Sequence, residues 1–198
     1  MPWEKSFDED VAIEKAMNVF WEKGFEPASI SDLLKGTGLN RGSLYNAFGG
    51  KRQLFVKALL KYDLKRQTML ARMEALDDPG KAITSFFDEI VATTVADQDR
   101  KGCFMFNTAL DFSTHDEEVN GIVNNGIREV EAFFRRSIEV CQARGEMSKK
   151  LQAEPTAKAL LALIIAIRVL GRGVFEEAAL KTIANQGKQL IGLNNITS

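Results

Sequence analysis

The sequence predicts an all-α fold, and three observations carry that prediction. Apolar residues recur at three- and four-residue spacing along most of the 198-residue chain. Helix start and stop signals punctuate the pattern: Ser29, Asn40, Asp78 and Thr114 stand where helices begin, and Gly24, Gly38, Gly49-Gly50 and Gly145 where they end. No stretch alternates apolar and polar residues over the length of a strand, and no internal repeat or low-complexity tract is present.

Taken in order, Asp8 to Lys23 reads as an amphipathic helix with Ala12, Ile13, Ala16, Met17 and Phe20 inward, closed by Gly24. Trp21 reads as core or as a domain contact rather than as a stacking platform. Ser29 and Asp32 form a capping box in front of Ile30, Leu33 and Leu34. Gly38 stops that short helix in a left-handed turn. Asn40 caps the next, which Leu44 and Phe48 anchor as an i, i+4 pair before Gly49-Gly50 ends it. From Lys51 the pattern runs without Gly or Pro to about Leu76, long enough to connect two bodies. Asp78 and Pro79 start a helix that reaches about residue 97. An aromatic segment follows from Cys103 to Phe112. Thr114 with Glu117 predicts another capping box, opening a helix of about thirty residues that ends at Gly145. Gly121 and Gly126 inside it each cost roughly 1 kcal/mol relative to Ala, and predict a bend or a close contact. Glu154-Pro155 opens a helix rich in Ala, Leu and Ile. A last helix runs through Phe175, Ile183 and Leu190, and the Asn194-Asn195 tail reads as frayed.

Residues 29 to 54 form the part that speaks to function: a helix, a tight turn and a second helix. A helix-turn-helix sets the first turn of its second helix against base edges, which requires small or polar residues there. Asn40, Arg41, Gly42 and Ser43 satisfy that requirement, and Tyr45 and Asn46 follow as a hydroxyl and an amide. Arg41 suits a bidentate contact with guanine, while Tyr45 and Lys51 suit phosphates, and Ser29 counts with them among the candidate DNA-binding residues. Lys51 opens a helix, where the dipole favours an anion, and a phosphate would supply one.

The stretch GFEPASISDLLKGTGLNRGSLYNAFGGKRQLF is similar to the N-terminal domain of the TetR family of transcriptional regulators. The matching positions are Gly24-Phe25, Ser29-Ile30, Asp32-Leu33, Gly38-Leu39, Arg41-Gly42, Leu44-Tyr45, Phe48, Lys51 and Leu54-Phe55. Ala28 and Asn46-Ala47 depart from the common pattern, so one phosphate contact is expected to be missing or moved. The resemblance implies a homodimer that binds a palindromic double-stranded DNA operator and represses transcription until a small-molecule effector releases it. It divides the chain into a helix-turn-helix domain over 1–50, with the connecting helix to about 62, and a helical ligand-binding and dimerisation domain over 63–198.

Composition bounds the alternatives. Residues 35–72 hold nine Lys or Arg (Lys35, Arg41, Lys51, Arg52, Lys57, Lys61, Lys65, Arg66 and Arg72) and one acid, Asp63, so the near-neutral chain is expected to carry a confined basic patch. No apolar run approaches the roughly 20 residues of a membrane span, and the acidic start is unlike a signal peptide, which predicts a cytoplasmic protein with no membrane partner. With one histidine and two separated cysteines there is no metal or cofactor signature, and no nucleophile with base and orienter, so no enzyme is expected.

An apolar ligand pocket is expected around Phe86, Phe87, Cys103, Phe104, Phe106, Asn107, Phe112 and Phe134, with Thr108, Asp111 and His115 as further polar candidates at its mouth. Cys103 admits two readings. It is a packing residue, or it is a thiol activated by Arg100, Lys101 and a helix start, in a setting similar to electrophile-sensing members of the family. Cys141 reads as structural. Dimerisation is expected along the last two helices, through Leu161, Ile164, Ile165, Arg168, Phe175 and Ile183, with Gly171 and Gly173 as close-approach points. The alternative of another class is a helical small-molecule-binding protein without a DNA function, in which Arg41, Tyr45 and Lys51 would have no common purpose.

Overall fold

A computed structural model describes residues 7–192, so the Asn194-Asn195 tail lies outside the described residues. These contain nine α-helices and no strand: α1 Glu9–Lys23, α2 Ile30–Thr37, α3 Arg41–Phe48, α4 Lys51–Glu74, α5 Pro79–Ala96, α6 Phe104–Leu110, α7 Glu117–Ala143, α8 Ala153–Leu170 and α9 Glu177–Leu190, with a 3-10 turn at Phe112–Thr114 between α6 and α7. None of these helices is long and apolar enough to cross a membrane.

Local chemistry sets most boundaries. The Asp8 carboxylate accepts from the backbone N–H groups of Asp10 and Val11 and caps α1. Gly38 and Gly49 end α2 and α3 at φ 77° and 78°, a left-handed conformation that any side chain would strain. Asp78 accepts from the Lys81 N–H at 2.8 Å, with Pro79 first in α5. The Thr114–Glu117 box does not form. Thr114 lies in the 3-10 turn and donates its hydroxyl to the Asp111 carbonyl, so α7 is capped instead by Asp116, which accepts from the Val119 N–H at 3.1 Å. The Asn120 amide holds that turn in place by donating to the carbonyls of Phe112 and His115, both at 3.0 Å.

The chain divides into two compact units. One comprises the described residues through Arg66 together with Phe104–Val123, the other Gln67–Cys103 together with the described residues from Asn124 onward. This differs from a single division near residue 63. In the stretch 104–123 that joins the N-terminal unit, Phe104, Met105, Val119 and Val123 are buried. The Phe104 ring packs edge-on against Phe55 at 5.7 Å and Tyr62 at 5.8 Å, and lies 6.1 Å from Trp21. Trp21 is thus a packing residue of this unit, 5.1 Å from Tyr62. Gly36 lets α2 close on α1, since a Cβ there would sit 2.4 Å from Val19.

In the second unit α5, α8 and α9 pack on one another. Phe86, Phe87, Phe133 and Phe134 form a contiguous aromatic cluster with centroids 5.2 to 5.9 Å apart, all fully buried. Two glycines allow the helices to approach. A Cβ on Gly171 would meet Thr94 at 2.2 Å, and one on Gly187 would meet the Phe87 ring at 2.5 Å. Gly171 is therefore a close-approach point within the chain. Cys141 is buried, and that burial, with Glu146 adding, pushes its thiol up to about 11, in keeping with a packing role. Gly121, by contrast, faces open space.

These two helical glycines make opposite predictions. Gly187→Ala should lower the melting temperature, because overpacking against a buried ring costs about 1–3 kcal/mol, more than the roughly 1 kcal/mol gained in helix propensity. Gly121→Ala should raise it by the propensity gain alone. Thermal unfolding followed by circular dichroism distinguishes the two.

Candidate nucleic-acid interface

Two short helices and their caps build the candidate reading surface. Ser29 accepts from the Asp32 N–H at 3.1 Å, and Asp32 accepts from both the Ser29 N–H (3.0 Å) and its hydroxyl (2.7 Å). Lys23 pairs with the other Asp32 oxygen at 2.5 Å. The Lys23 ammonium first, then the two Ser29 donors, hold the Asp32 carboxyl far below the usual carboxylate range. Ser29 thereby acts as a cap whose one O–H is already donated, which leaves it without a donor for a phosphate.

The Asn40 side-chain oxygen accepts from the Ser43 N–H at 2.8 Å, fixing the first turn of α3. With Leu44 and Phe48 buried, the 100° step of the helix turns Arg41, Gly42, Tyr45 and Asn46 outward, and all four are exposed. Ser43 is half-buried. Arg41 makes no ion pair among the described residues, so its planar fork of donors is available. Tyr45 lies beside the break into α4: a Cβ on Gly50 would be 3.5 Å from its ring.

Lys51 does not wait for an anion. Its ammonium donates to the Glu26 carbonyl at 3.0 Å and sits 4.6 Å above the centre of the Phe25 ring, so it braces α4 against the α1–α2 turn. The basic patch read from the sequence is also largely compensated. Lys61 pairs with Asp10 at 2.5 Å, Lys65 with Glu14 at 2.9 Å, Arg66 with Asp63 at 2.7 Å and Arg72 with Glu89 at 2.5 Å. Arg52 reaches two carboxylates, Asp116 at 2.7 Å and Glu118 at 2.6 Å. Lys35, Arg41 and Lys57 are the members of that set with no counter-charge or carbonyl partner among the described residues.

The Arg52 site escaped the sequence reading. A signal was available, since an arginine in the first turn of a helix opposes the dipole just as Lys51 does. Its partners lie 64 and 66 residues further on, where no local pattern points. The Arg52 guanidinium, helped by the Val119 N–H, lowers the Asp116 carboxyl to about 2.

The residues expected to line one pocket are not brought together in either unit. Phe86, Phe87 and Phe134 belong to the aromatic core of the second unit, Phe104 to the core of the first, and Phe112 is exposed at the 3-10 turn. Phe106 and Asn107 are half-buried in α6, and Cys103 is buried just before it. Burial of Cys103 favours packing over a thiol that reagents must reach. His115 is stacked on Phe55 at 5.6 Å within the first unit. The second unit instead carries an open groove of about 530 Å³ between α5 and α9, with Val91, Ala92, Val95 and Ala96 along it and Asp88, Gln98, Glu177 and Lys181 among its polar lining.

Comparison with known proteins decides the identity of this arrangement. The family described as "Bacterial regulatory proteins, tetR family" matches residues 12–58, and "Tetracyclin repressor-like, C-terminal domain" matches residues 79–185. The chain belongs to the TetR family. Among relatives of this TetR-family chain, the uncharacterized HTH-type transcriptional regulator YezE of Bacillus subtilis (strain 168) is 31% identical over 145 residues, covering 73% of this chain and 75% of that protein. The HTH-type transcriptional repressor ComR of Escherichia coli (strain K12) is 29% identical over 176 residues, covering 85% and 81%. Solved structures share the fold. A cysteine-substituted form of the TetR-family regulator CifR in complex with 26-bp operator DNA superposes with a TM-score of 0.81 at 24% identity, covering 93% of this chain and 97% of that one. A TetR regulator from Chloroflexus aurantiacus gives 0.83 at 23% identity, covering 92% and 93%. The TetR-family chain is therefore a DNA-binding transcriptional regulator and not an enzyme, and its helix-turn-helix is α2 and α3.

The Arg52–Asp116 pair gives this regulator an acid-sensitive element. Pairing with Arg52 lowers the folded Asp116 carboxyl to about 2, against roughly 3.9 in an unfolded chain, so the stability it adds is present above about pH 4 and lost as the pH falls through about 2; both side chains are well exposed, and solvent screening keeps that contribution small. Asp116→Asn should flatten the acid limb of the melting temperature over that interval. An unaltered limb would show that other carboxylates set it.

Proposed function

We propose that this TetR-family regulator is a repressor that binds a two-fold symmetric operator as a homodimer and leaves it when a small molecule binds the second unit. The observation that carries the proposal is the outward face of α3, where Arg41, Gly42, Tyr45 and Asn46 stand exposed on a capped helix whose other face is anchored by Leu44 and Phe48. Gly42 leaves the groove side uncrowded beside Arg41, whose fork matches guanine O6 and N7. Tyr45 at the edge of the helix suits a phosphate. Lys51 supports binding by holding the start of α4, with two N–H donors still able to face a phosphate. The name of the relative ComR supports the sign of regulation as repression.

Exposed apolar surface supports dimerisation. Leu161 and Ile164 are buried within the chain itself, and Arg168 forks onto the hydroxyls of Thr94 and Thr93 at 3.0 Å each, so these three serve the protomer's own packing. The surface left for a second copy comprises Ala162, Ile165 and Val169 on α8, Val174 and Phe175 after it, and Ile183 and Leu190 on α9; of these Val174 is 69% exposed. Helices α8 and α9 pack together, so each copy can offer two helices to a two-fold interface. For the effector, the groove between α5 and α9 has the apolar wall and few polar groups of a small-molecule site, and it replaces the packed aromatic cluster as the favoured location.

Selection of bound duplexes from a random pool should enrich a palindrome with half-sites about 34 Å or a multiple of it apart. Arg41→Ala should relax base choice at one position per half-site, a loss of about 1–3 kcal/mol in discrimination, whereas Lys51→Ala should weaken all sequences alike. Equal, sequence-independent losses from both would refute the assignment. Sedimentation at micromolar concentration should show a dimer for the wild type and a shift toward monomer for Val169→Glu; a wild-type monomer would sink the two-fold reading.

A further inference from the structure

The Arg52 site has a feature that a purely structural clamp does not need. One guanidinium in the first turn of α4 faces two carboxylates through two separate nitrogens, Nε to Asp116 Oδ2 and Nη2 to Glu118 Oε2. Two anionic oxygens before a planar fork reproduce what a phosphate diester offers it. All three side chains are well exposed, at 38% for Arg52, 47% for Asp116 and 55% for Glu118, so water competes for every contact. Exposed ion pairs typically favour the paired state by about fivefold or less. Asp116 and Glu118 also stand at the start of α7, where the helix dipole and the Val119 N–H stabilise them whether or not Arg52 is present. The carboxylates can therefore release the arginine at little cost.

The position points the same way. Arg52 follows Gly50 and Lys51, and Gly50 lies against the Tyr45 ring on the exposed side of α3. Arg52 thus lies in the first turn of α4, at the end that follows directly on the recognition helix.

We infer that Arg52 is a further phosphate-contacting residue of this regulator, held in reserve by Asp116 and Glu118, which it exchanges for a DNA phosphate on binding. The inference rests on the DNA-binding reading of α3. Free in solution, the two acids occupy the arginine as a built-in competitor. On DNA the fork moves to a phosphate, the acids return to water, and the operator sheds a counterion. The acids therefore lower affinity for every sequence alike, and their effect falls as salt rises.

Binding of the full-length protein to two fluorescent duplexes, one random in sequence and one carrying the selected operator, tests this over a range of salt concentrations. Asp116→Asn with Glu118→Gln keeps size and capping oxygens while removing both charges. This double variant should bind both duplexes about two- to fivefold more tightly at low salt, with a salt slope steeper by up to about 0.9. Arg52→Gln alone should bind both more weakly than the wild type. Combining all three substitutions should abolish the gain, which separates capture by Arg52 from general loss of negative charge. If the triple variant keeps the gain, the acids act only through the field and Arg52 is not the contact. If the acid and arginine variants both weaken binding and lower the melting temperature together, the site is a structural clamp and the inference fails while the DNA reading stands. A wild type that binds neither duplex would overturn both.

Discussion

The N-terminal unit depends on the burial of one ring. Phe55, one turn into α4, has its centroid 5.0 Å from Phe20 of α1, 4.7 Å from Phe25 in the following turn, 5.7 Å from Phe104 of α6 and 5.6 Å from His115 before α7. Four stretches of chain thus converge on one side chain that is fully buried. Aromatic pairs of this kind add about 0.5–1.5 kcal/mol each beyond the area they bury, and they are directional, so they fix tilt as well as proximity. The position of α4 relative to α1 follows from them. The recognition helix is joined to α4 by only Gly49 and Gly50.

Charge is arranged around that core in a way that net counts conceal. The long connecting helix looks strongly basic in isolation, yet α1 supplies Asp10 and Glu14, and the opening of α7 supplies Asp116 and Glu118, as its counter-charges. The positive charges that remain without a counter-charge among the described residues are those of Lys35, Arg41 and Lys57. Such compensation weakens the broad field that an uncompensated basic helix would project toward phosphate.

The second unit obeys a different constraint, which is close approach. Gly171 and Gly187 remove the side chains that would hold α8 and α9 away from α5, while the four buried phenylalanines fill the space beside them. Such packing responds to small changes of volume. The apolar run of α8 accordingly divides into two populations: Leu160, Leu161, Ile164 and Ile167 are buried, and Ala162 and Val169 are exposed.

The sequence by itself determined the helices, most of their ends and the identity of the reading unit. Asp8, Ser29, Asn40 and Asp78 act on N–H groups two or three residues away, and Gly38 and Gly49 act through their own backbone angles. Information of that range survives in a linear reading, and so does the family pattern that these residues compose. Where a local rule failed, at Thr114, a competing contact from Asn120 had wound the preceding residues into a 3-10 turn. The tertiary structure alone decided that residues 104–123 belong with the N-terminal unit, that most of the basic patch is neutralised, and that Leu161 and Ile164 point into their own chain. Those outcomes turn largely on partners distant in the chain, as for Arg52, Lys61 and Lys65, or on which of two apolar faces a helix buries. Periodicity says that a face is apolar, but only the packed chain says what lies against it.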